Sequence, residues 1–397
     1  MSDSTAEPDG PVPAARGEAA RLAFAYIALF GMMGLQLPYW PVYLAYRGLG
    51  PGEMGVVLGV ATWARLAAPW TGSWADRRGL PHRLAAVLAA ATLVFTAGFA
   101  LTGGFVVLLL LSAATGLALA PVLPLVDGIA VAGSAAGRLD YGRVRLWGSA
   151  AFVLVTSLGG RALQGRSAEL VLGMLLVASA ALLVATLLLP RPAARVDVSP
   201  PSSGSMLEML RRPGIRVFLA AIACMQGSHS MLYAFGTRHW QAIGISESTI
   251  GWLWAWGVIV EVGLFAIGQR MVARLHPTGM LLVAGLGGVI RWPLMAWVES
   301  VGVVFAVQTL HGATFACMHL GAMNWIRDSI DPPSVQRATG LYVAIGSGIA
   351  LGLGMPLAGF LFEHFAGNAY HSMGLSSFIG LLFALRLRAS GRSTAAS

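Results

Sequence analysis

Six ionisable side chains stand inside stretches that are otherwise apolar: Arg65, His229, Glu261, Arg291, His311 and His319. A charge at the centre of a bilayer costs about 2.5–3.5 kcal/mol on insertion scales, so such a residue faces a cavity or a partner. Five of the six fall in four successive apolar runs of the second half, as one carboxylate, one guanidinium and three imidazoles. Burial favours a neutral acid, whereas a neighbouring cation favours the anion. With Arg291 beside Glu261, drawing the arginine away, or occupying it with an anion, lets the carboxylate take a proton. That is the chemistry of a proton-coupled carrier. His311 and His319 are eight residues apart, which on a helix is two turns, ~12 Å, on broadly the same side. Taken singly, each residue also has a plain structural role. A buried arginine can pair with a carboxylate to fix a helix. A buried histidine, His319 above all, can bond a backbone carbonyl and never titrate.

The elements that position these groups follow from composition. The chain has 397 residues, 56% hydrophobic and 11% charged, with a mean hydropathy of +0.72. A soluble domain carries about 25% charged residues. Apolar runs near twenty residues recur along the whole length, each able to cross a hydrocarbon core of about 30 Å as a helix that satisfies its own backbone. The fold class expected is therefore an all-α membrane protein. The two cysteines, Cys224 and Cys317, both lie in apolar runs and fit small packed hydrophobes without metal or disulfide spacing. Residues 1–20 lack the apolar core of a signal peptide, so the first run is expected to be retained.

Twelve spans are expected, at 22–45, 52–72, 84–102, 104–131, 144–161, 169–189, 215–237, 247–268, 278–297, 301–325, 338–361 and 370–387. Residues 190–214 form the long polar break and read as a flexible linker. The layout is then a tail 1–21, a six-helix bundle 22–189, the linker, a second bundle 215–387 and a tail 388–397, a duplication of the kind transporters carry. All 26 basic residues are arginine, and the net charge is +9. With both termini inside, the outer loops hold only Arg47, Arg161, Arg166 and Arg238, as the positive-inside rule requires. The basic balance thus needs no nucleic acid. Prolines at 38, 41, 121, 124 and 356 are expected to bend their spans.

Between the second and third spans stands GSWADRRG, with Gly72, Asp76, Arg77 and Gly79. It resembles the G-x-x-x-D-R-x-G loop of the major facilitator superfamily, in which the glycines make a tight turn and the acid caps or pairs with a helix end. The corresponding stretch of the second half, GQRMVARLHP from Gly268, keeps a glycine and the arginines but lacks the aspartate. Over nearly the whole membrane region the chain is similar to the phenylpropionate permease branch of that superfamily. The resemblance is carried by QLPYWPVYL from Gln36, ARLAAPW around Arg65, YGRVRLWGSAAF from Tyr141, QGSHSMLYAFGTRHW from Gln226, WAWGVIVEVGLF around Glu261, IRW at Arg291 and TLHGATFACMH from Thr309. More distantly it resembles lactose permease and the oligosaccharide–proton symporters.

The resemblance implies a major facilitator fold and alternating access between two six-helix bundles, in a bacterial inner membrane with both termini cytoplasmic. It also implies roles. Asp127 and Arg145 fall where lactose permease carries its sugar-binding acid and arginine, with Trp147 near enough to offer an aromatic face; a solvated loop pair is the alternative. Glu261, Arg291 and His311 fall on three positions of the proton-coupling set. Thr314 stands where the tenth-helix carboxylate would be, and Tyr233 near the seventh-helix aspartate. The proton carrier expected is Glu261, helped by His311 or His229, with His319 in the same set. The branch implies an aromatic carboxylate such as 3-phenylpropionate as substrate, clamped by Arg65 or Arg145, with His229 and Tyr233 also counted among the substrate-binding candidates. Sugar or nucleoside symport, or proton-driven export, are the alternatives. Nothing suggests an enzyme: no nucleophile motif, paired carboxylates, metal spacing or phosphate loop is present. No cofactor, no metal and no nucleic acid partner is expected, and a monomer would suffice.

Overall fold

The computed structural model describes residues 13–68, 71, 74, 75, 78–101, 103–191 and 206–395. Among these there are helices and turns and no strand. The first half holds α1 (Pro13–Tyr46), α2 (Pro51–Trp63), α3 (Pro81–Leu101), α4 (Phe105–Leu119), α5 (Val122–Ala135), α6 (Tyr141–Leu163) and α7 (Leu170–Leu187). The second half holds α8 (Met206–Arg211), α9 (Pro213–Gly227), α10 (Ser230–Ala242), α11 (Glu247–Trp297), α12 (Val301–His311), α13 (Met318–Ser329), α14 (Val335–Val343), α15 (Leu351–Phe365) and α16 (Tyr370–Ala395). Among the described residues, nine helical stretches are long and apolar enough to cross a membrane. Two of these, Glu247–Trp297 and Pro332–Ser390, run to 51 and 59 residues. Each doubles back at a residue with positive φ, His276 at 58° and Ala366 at 47°. The expected second span contributes α2 and continues into a 3₁₀ turn, Ala64–Ala67. The helix of the expected eighth span runs on past Gly268 as far as His276, so the second-half GQRMVARLHP stretch is helical rather than a loop.

The prolines act where expected at Pro121, where the fourth span divides into α4 and α5. Pro38, Pro41 and Pro356 sit within continuous helices. Two segments widen into π-helix, Gly312–Cys317 between α12 and α13, and Ala344–Ala350 between α14 and α15. Such segments place one residue more than α geometry allows in a turn and are frequent at functional sites.

The two halves meet along α2 against α15, α6 against α11, and α1 against α10. Close approaches between the halves run along α2 and α15 and along α6 and α11, with Gly160 against Glu247 and Gly359 against Pro51 at the end opposite Glu18. A Cβ on Gly59 would lie 2.6 Å from the Gly352 carbonyl oxygen, and one on Gly251 would lie 2.7 Å from that of Thr156. Only glycine lets backbones come so near, as in small-residue helix crossings generally. The Tyr39 hydroxyl donates to the same Thr156 carbonyl at 2.6 Å. Arg47 donates to the Phe99 carbonyl at 2.6 Å and to the Tyr43 hydroxyl. At the opposite end, Arg138 pairs with Glu18 at 2.8 Å and Arg212 with Asp331 at 3.2 Å. Arg238, expected in an outer loop, lies within α10 and points an amino group at the Met54 sulfur, 3.4 Å away.

Candidate functional site

The ionisable residues of the second half converge. Arg291, on α11 beyond its turn at His276, is wholly buried. Its guanidinium donates to the Thr314 hydroxyl at 2.8 Å, to the Gln308 side-chain oxygen at 2.7 Å and to His311 Nδ1 at 3.2 Å. Its carbon stands 4.5 Å over the Trp292 ring, and its Nε has no partner among the described residues. Each acceptor is neutral, and no carboxylate lies within ion-pair distance of Arg291 among the described residues.

The expectation of Glu261 beside Arg291 is corrected by an imidazole between them. His311 Nε2 is 3.6 Å from Glu261 Oε2, while its other nitrogen meets Arg291. The reason lies in the packing of the helices. The His311 ring packs on α11 beside Gly257, one turn before Glu261, at ordinary contact distance, 3.4 Å from where a Cβ would stand. His311 therefore fills the space a direct pair would need. His319 and, from the other half, Arg145 also stand near enough to act on Glu261.

His229, at the junction of α9 and α10, is wholly buried. Its Nδ1 is 3.0 Å from the Met225 carbonyl and its Nε2 is 3.2 Å from the Thr314 hydroxyl. The His229 and His311 rings lie 6.0 Å apart. Tyr233 extends this group, 5.8 Å from His229 and stacked at 6.3 Å on Trp254. His319 bonds not a backbone carbonyl but the Tyr342 hydroxyl, at 2.9 Å. On a plain α-helix the eight residues from His311 to His319 leave the two about 80° apart in rotation. The π segment between them winds less per residue and narrows that angle.

The first-half candidates form a second cluster. Asp127 accepts from Tyr26 at 2.5 Å and from Tyr141 at 3.2 Å. Arg145 lies over the rings of Phe30 and Tyr26, at 4.0 and 5.4 Å. Asp127 and Arg145 thus meet through Tyr26 and make no direct ion pair. Trp147, 57% exposed, is not brought to them: two residues on from Arg145, it turns to the other side of α6. Arg65 lies in the 3₁₀ turn after α2, and its side chain is outside the described residues. Gly72, Asp76 and Arg77 also lie outside them. Gly79 is described and has φ +67°, the left-handed conformation a tight turn takes from glycine. The side chains that sequence reasoning passed over are Gln308, Tyr26, Phe30, Tyr141 and Tyr342. Only Gln308 had a signal, as an amide in an apolar run three residues before His311.

The MFS_1 like family matches residues 19–372. The chain belongs to that family. It is 34% identical over 361 residues to the probable 3-phenylpropionic acid transporter of Escherichia coli (strain K12), spanning 89% of this chain and 94% of that protein. It is 24% identical over 372 residues to the maltose permease of Geobacillus stearothermophilus, spanning 91% and 92%. Among solved structures the nucleoside transporter NupG superposes with a TM-score of 0.81 at 15% identity, covering 94% of this chain and 98% of that one. The inward-facing bacterial homolog of the human lysosomal transporter Spinster gives 0.71 at 17% identity, covering 96% of each. This MFS_1 like protein therefore has the major facilitator fold. It is a multi-pass membrane transporter of small molecules and not an enzyme.

Proposed function

We propose that the protein is a proton-coupled symporter of a small organic acid, of the aromatic carboxylate class to which 3-phenylpropionate belongs. The observation that carries this reading is the Arg291–His311–Glu261 chain. One carboxylate, 3.6 Å from an imidazole whose far nitrogen is held by a buried arginine, is a site where gain or loss of one proton changes the charge balance of the second half. The cargo class rests on the 34% identity to a probable 3-phenylpropionic acid transporter. Arg145 suits the cargo's carboxylate. It faces two rings and has no carboxylate within ion-pair distance among the described residues, and a guanidinium takes a carboxylate by two parallel bonds. Arg65 is the other arginine for that task.

In this reading twelve spans form two bundles, 22–189 and 215–387, joined by the cytoplasmic linker 190–214. Both termini face the cytoplasm of a bacterial inner membrane, and the glycine contacts seal the outer side. The proton gradient supplies the energy, a monomer suffices, and neither cofactor nor nucleic acid takes part. Binding of cargo and proton together shifts the population between outward-open and inward-open forms. Counterflow in proteoliposomes tests it, with 3-phenylpropionate, maltose and uridine as cargo, each with and without an inward proton gradient. The reading expects 3-phenylpropionate alone to exchange, and to accumulate only with the gradient. Exchange of maltose or uridine instead gives the leading cargo contact to Asp127 rather than to Arg145 as a carboxylate clamp and refutes the aromatic-acid assignment.

A further inference from the structure

The network around Arg291 can be read by counting donors and acceptors. A guanidinium only donates, so His311 Nδ1, which meets it at 3.2 Å, accepts and carries no proton. A neutral imidazole then carries its hydrogen on Nε2, the nitrogen that faces Glu261. Protonating His311 would turn an N–H against the arginine's own N–H. The Thr314 hydroxyl accepts from Arg291 and has one hydrogen to give. His229 Nδ1 meets a carbonyl and so donates; in a neutral ring Nε2 is then the acceptor facing Thr314, whose hydroxyl hydrogen also has the His311 carbonyl at 3.3 Å. Gln308 presents its oxygen to Arg291 and its amide nitrogen to the Leu253 carbonyl of α11 at 3.1 Å. This counting favours two neutral histidines in opposite tautomers, His311 with its hydrogen on Nε2 and His229 with its hydrogen on Nδ1.

We propose that Gln308 and Thr314 are positioning residues for proton coupling: by holding Arg291 with neutral acceptors alone, they direct its charge through His311 Nε2–H onto Glu261. This rests on the proton-coupled reading above. Were either position a carboxylate, Arg291 would be neutralised where it sits, His311 would be released and Glu261 would lose one of the positive charges near it, beside Arg145. The other groups facing the pair act from elsewhere and not through His311. Glu261 also sees His319 on α13 and Arg145 on α6, and Arg291 sees His229 and Tyr233 from α9–α10 and Tyr370 from α16. None of these has both a contact with His311 Nδ1 and a fixed positive charge.

The test is an infrared titration of the purified full-length protein, which needs no cargo. The protonated carboxyl band of Glu261 is assigned by its loss in Glu261→Gln. It is then followed against pH in wild type, Gln308→Glu, Thr314→Asp and Thr314→Ser, each compared with the same background carrying Glu261→Gln. Gln164→Glu, exposed at the end of α6, controls for an added distant charge. Both carboxylate variants are expected to move the midpoint to higher pH by about one unit, tenfold in proton concentration, the lower end of the effect of a nearby charge. Thr314→Ser keeps the hydroxyl and the wild-type midpoint. If one carboxylate variant does not fold, the other decides. A folded carboxylate variant that titrates with wild type, or no further than Gln164→Glu, overturns the proposal. So does ¹⁵N NMR showing His311 protonated on Nδ1. If wild type and Glu261→Gln give the same spectra at every pH, the proton-coupled reading itself fails, which is a distinct outcome.

Discussion

The glycine seam between the halves makes a quantitative prediction. In Gly59→Ala the new Cβ would lie 2.6 Å from the Gly352 carbonyl oxygen and 2.9 Å from Pro356 Cδ. Neither neighbour yields easily, since one is backbone and the other a ring within α15. Overpacking of this kind costs about 1–3 kcal/mol. The cost falls on the form in which α2 and α15 touch and disappears in a form in which they part. At about 1.4 kcal/mol per tenfold, the parted form gains roughly 5- to 150-fold. Hydrogen–deuterium exchange of the purified protein reads this directly. Amides of α2 and of residues 351–360 should exchange faster by that factor, while α3 and α7, remote from the seam, exchange as in wild type. Unchanged exchange along α2 and α15 in a folded Gly59→Ala protein would refute the idea that these helices part as the protein works. Faster exchange everywhere would show simple destabilisation instead.

Further outcomes follow from the charged clusters and the ends of the bundle. Glu261→Gln should abolish accumulation of 3-phenylpropionate driven by a pH gradient, at least tenfold, while leaving downhill counterflow measurable in the same vesicles; full accumulation would contradict the role given to that carboxylate. Arg145→Ala should raise the KM for 3-phenylpropionate about 10- to 150-fold, the worth of a charged hydrogen bond of about 1.5–3 kcal/mol. Arg145→Lys should recover only part of this, because an ammonium lacks the planar face that lies 4.0 Å from Phe30. Arg138→Ala breaks a partly exposed pair with Glu18 and should lower stability by about 1 kcal/mol or less, a small fall in melting temperature by fluorimetry. Arg212→Ala, at a more exposed pair, should not move that temperature measurably.

The fold was legible because a bilayer imposes a simple rule on sequence: every crossing must be a long apolar helix. That rule located α3, α6 and α7 to within a few residues and marked the polar break after Leu189. It is blind where one helix bends back on itself. The turn at His276 is marked by Pro277 and Gly279, and the reading began the ninth span there; it ended the eighth span early at Gly268, which packs against Leu320 within a continuing helix. The second-half charges were visible because a mid-span Glu, Arg or His is rare. Their order was not. Periodicity says which residues share a helix face, but not that His311 comes between Glu261 and Arg291. The first-half cluster was harder still. Tyr26 and Phe30 are two aromatics among many in apolar runs, and nothing in their spacing shows that they lie against Asp127 and Arg145.

The two π segments have a consequence for how the second half can deform. Residues 318–343 form a hairpin, α13 to α14, with a wide turn at each of its ends. Its two legs are fastened to each other by His319 and Tyr342, and it reaches towards the end of the bundle that holds the Arg212–Asp331 pair. A wide turn can hand its surplus residue to the next turn by exchanging a hydrogen bond. Any slide of the hairpin along α11, on which Gly321 packs close to the Pro277 carbonyl, would carry His319 relative to Glu261 without parting the seam at Gly59.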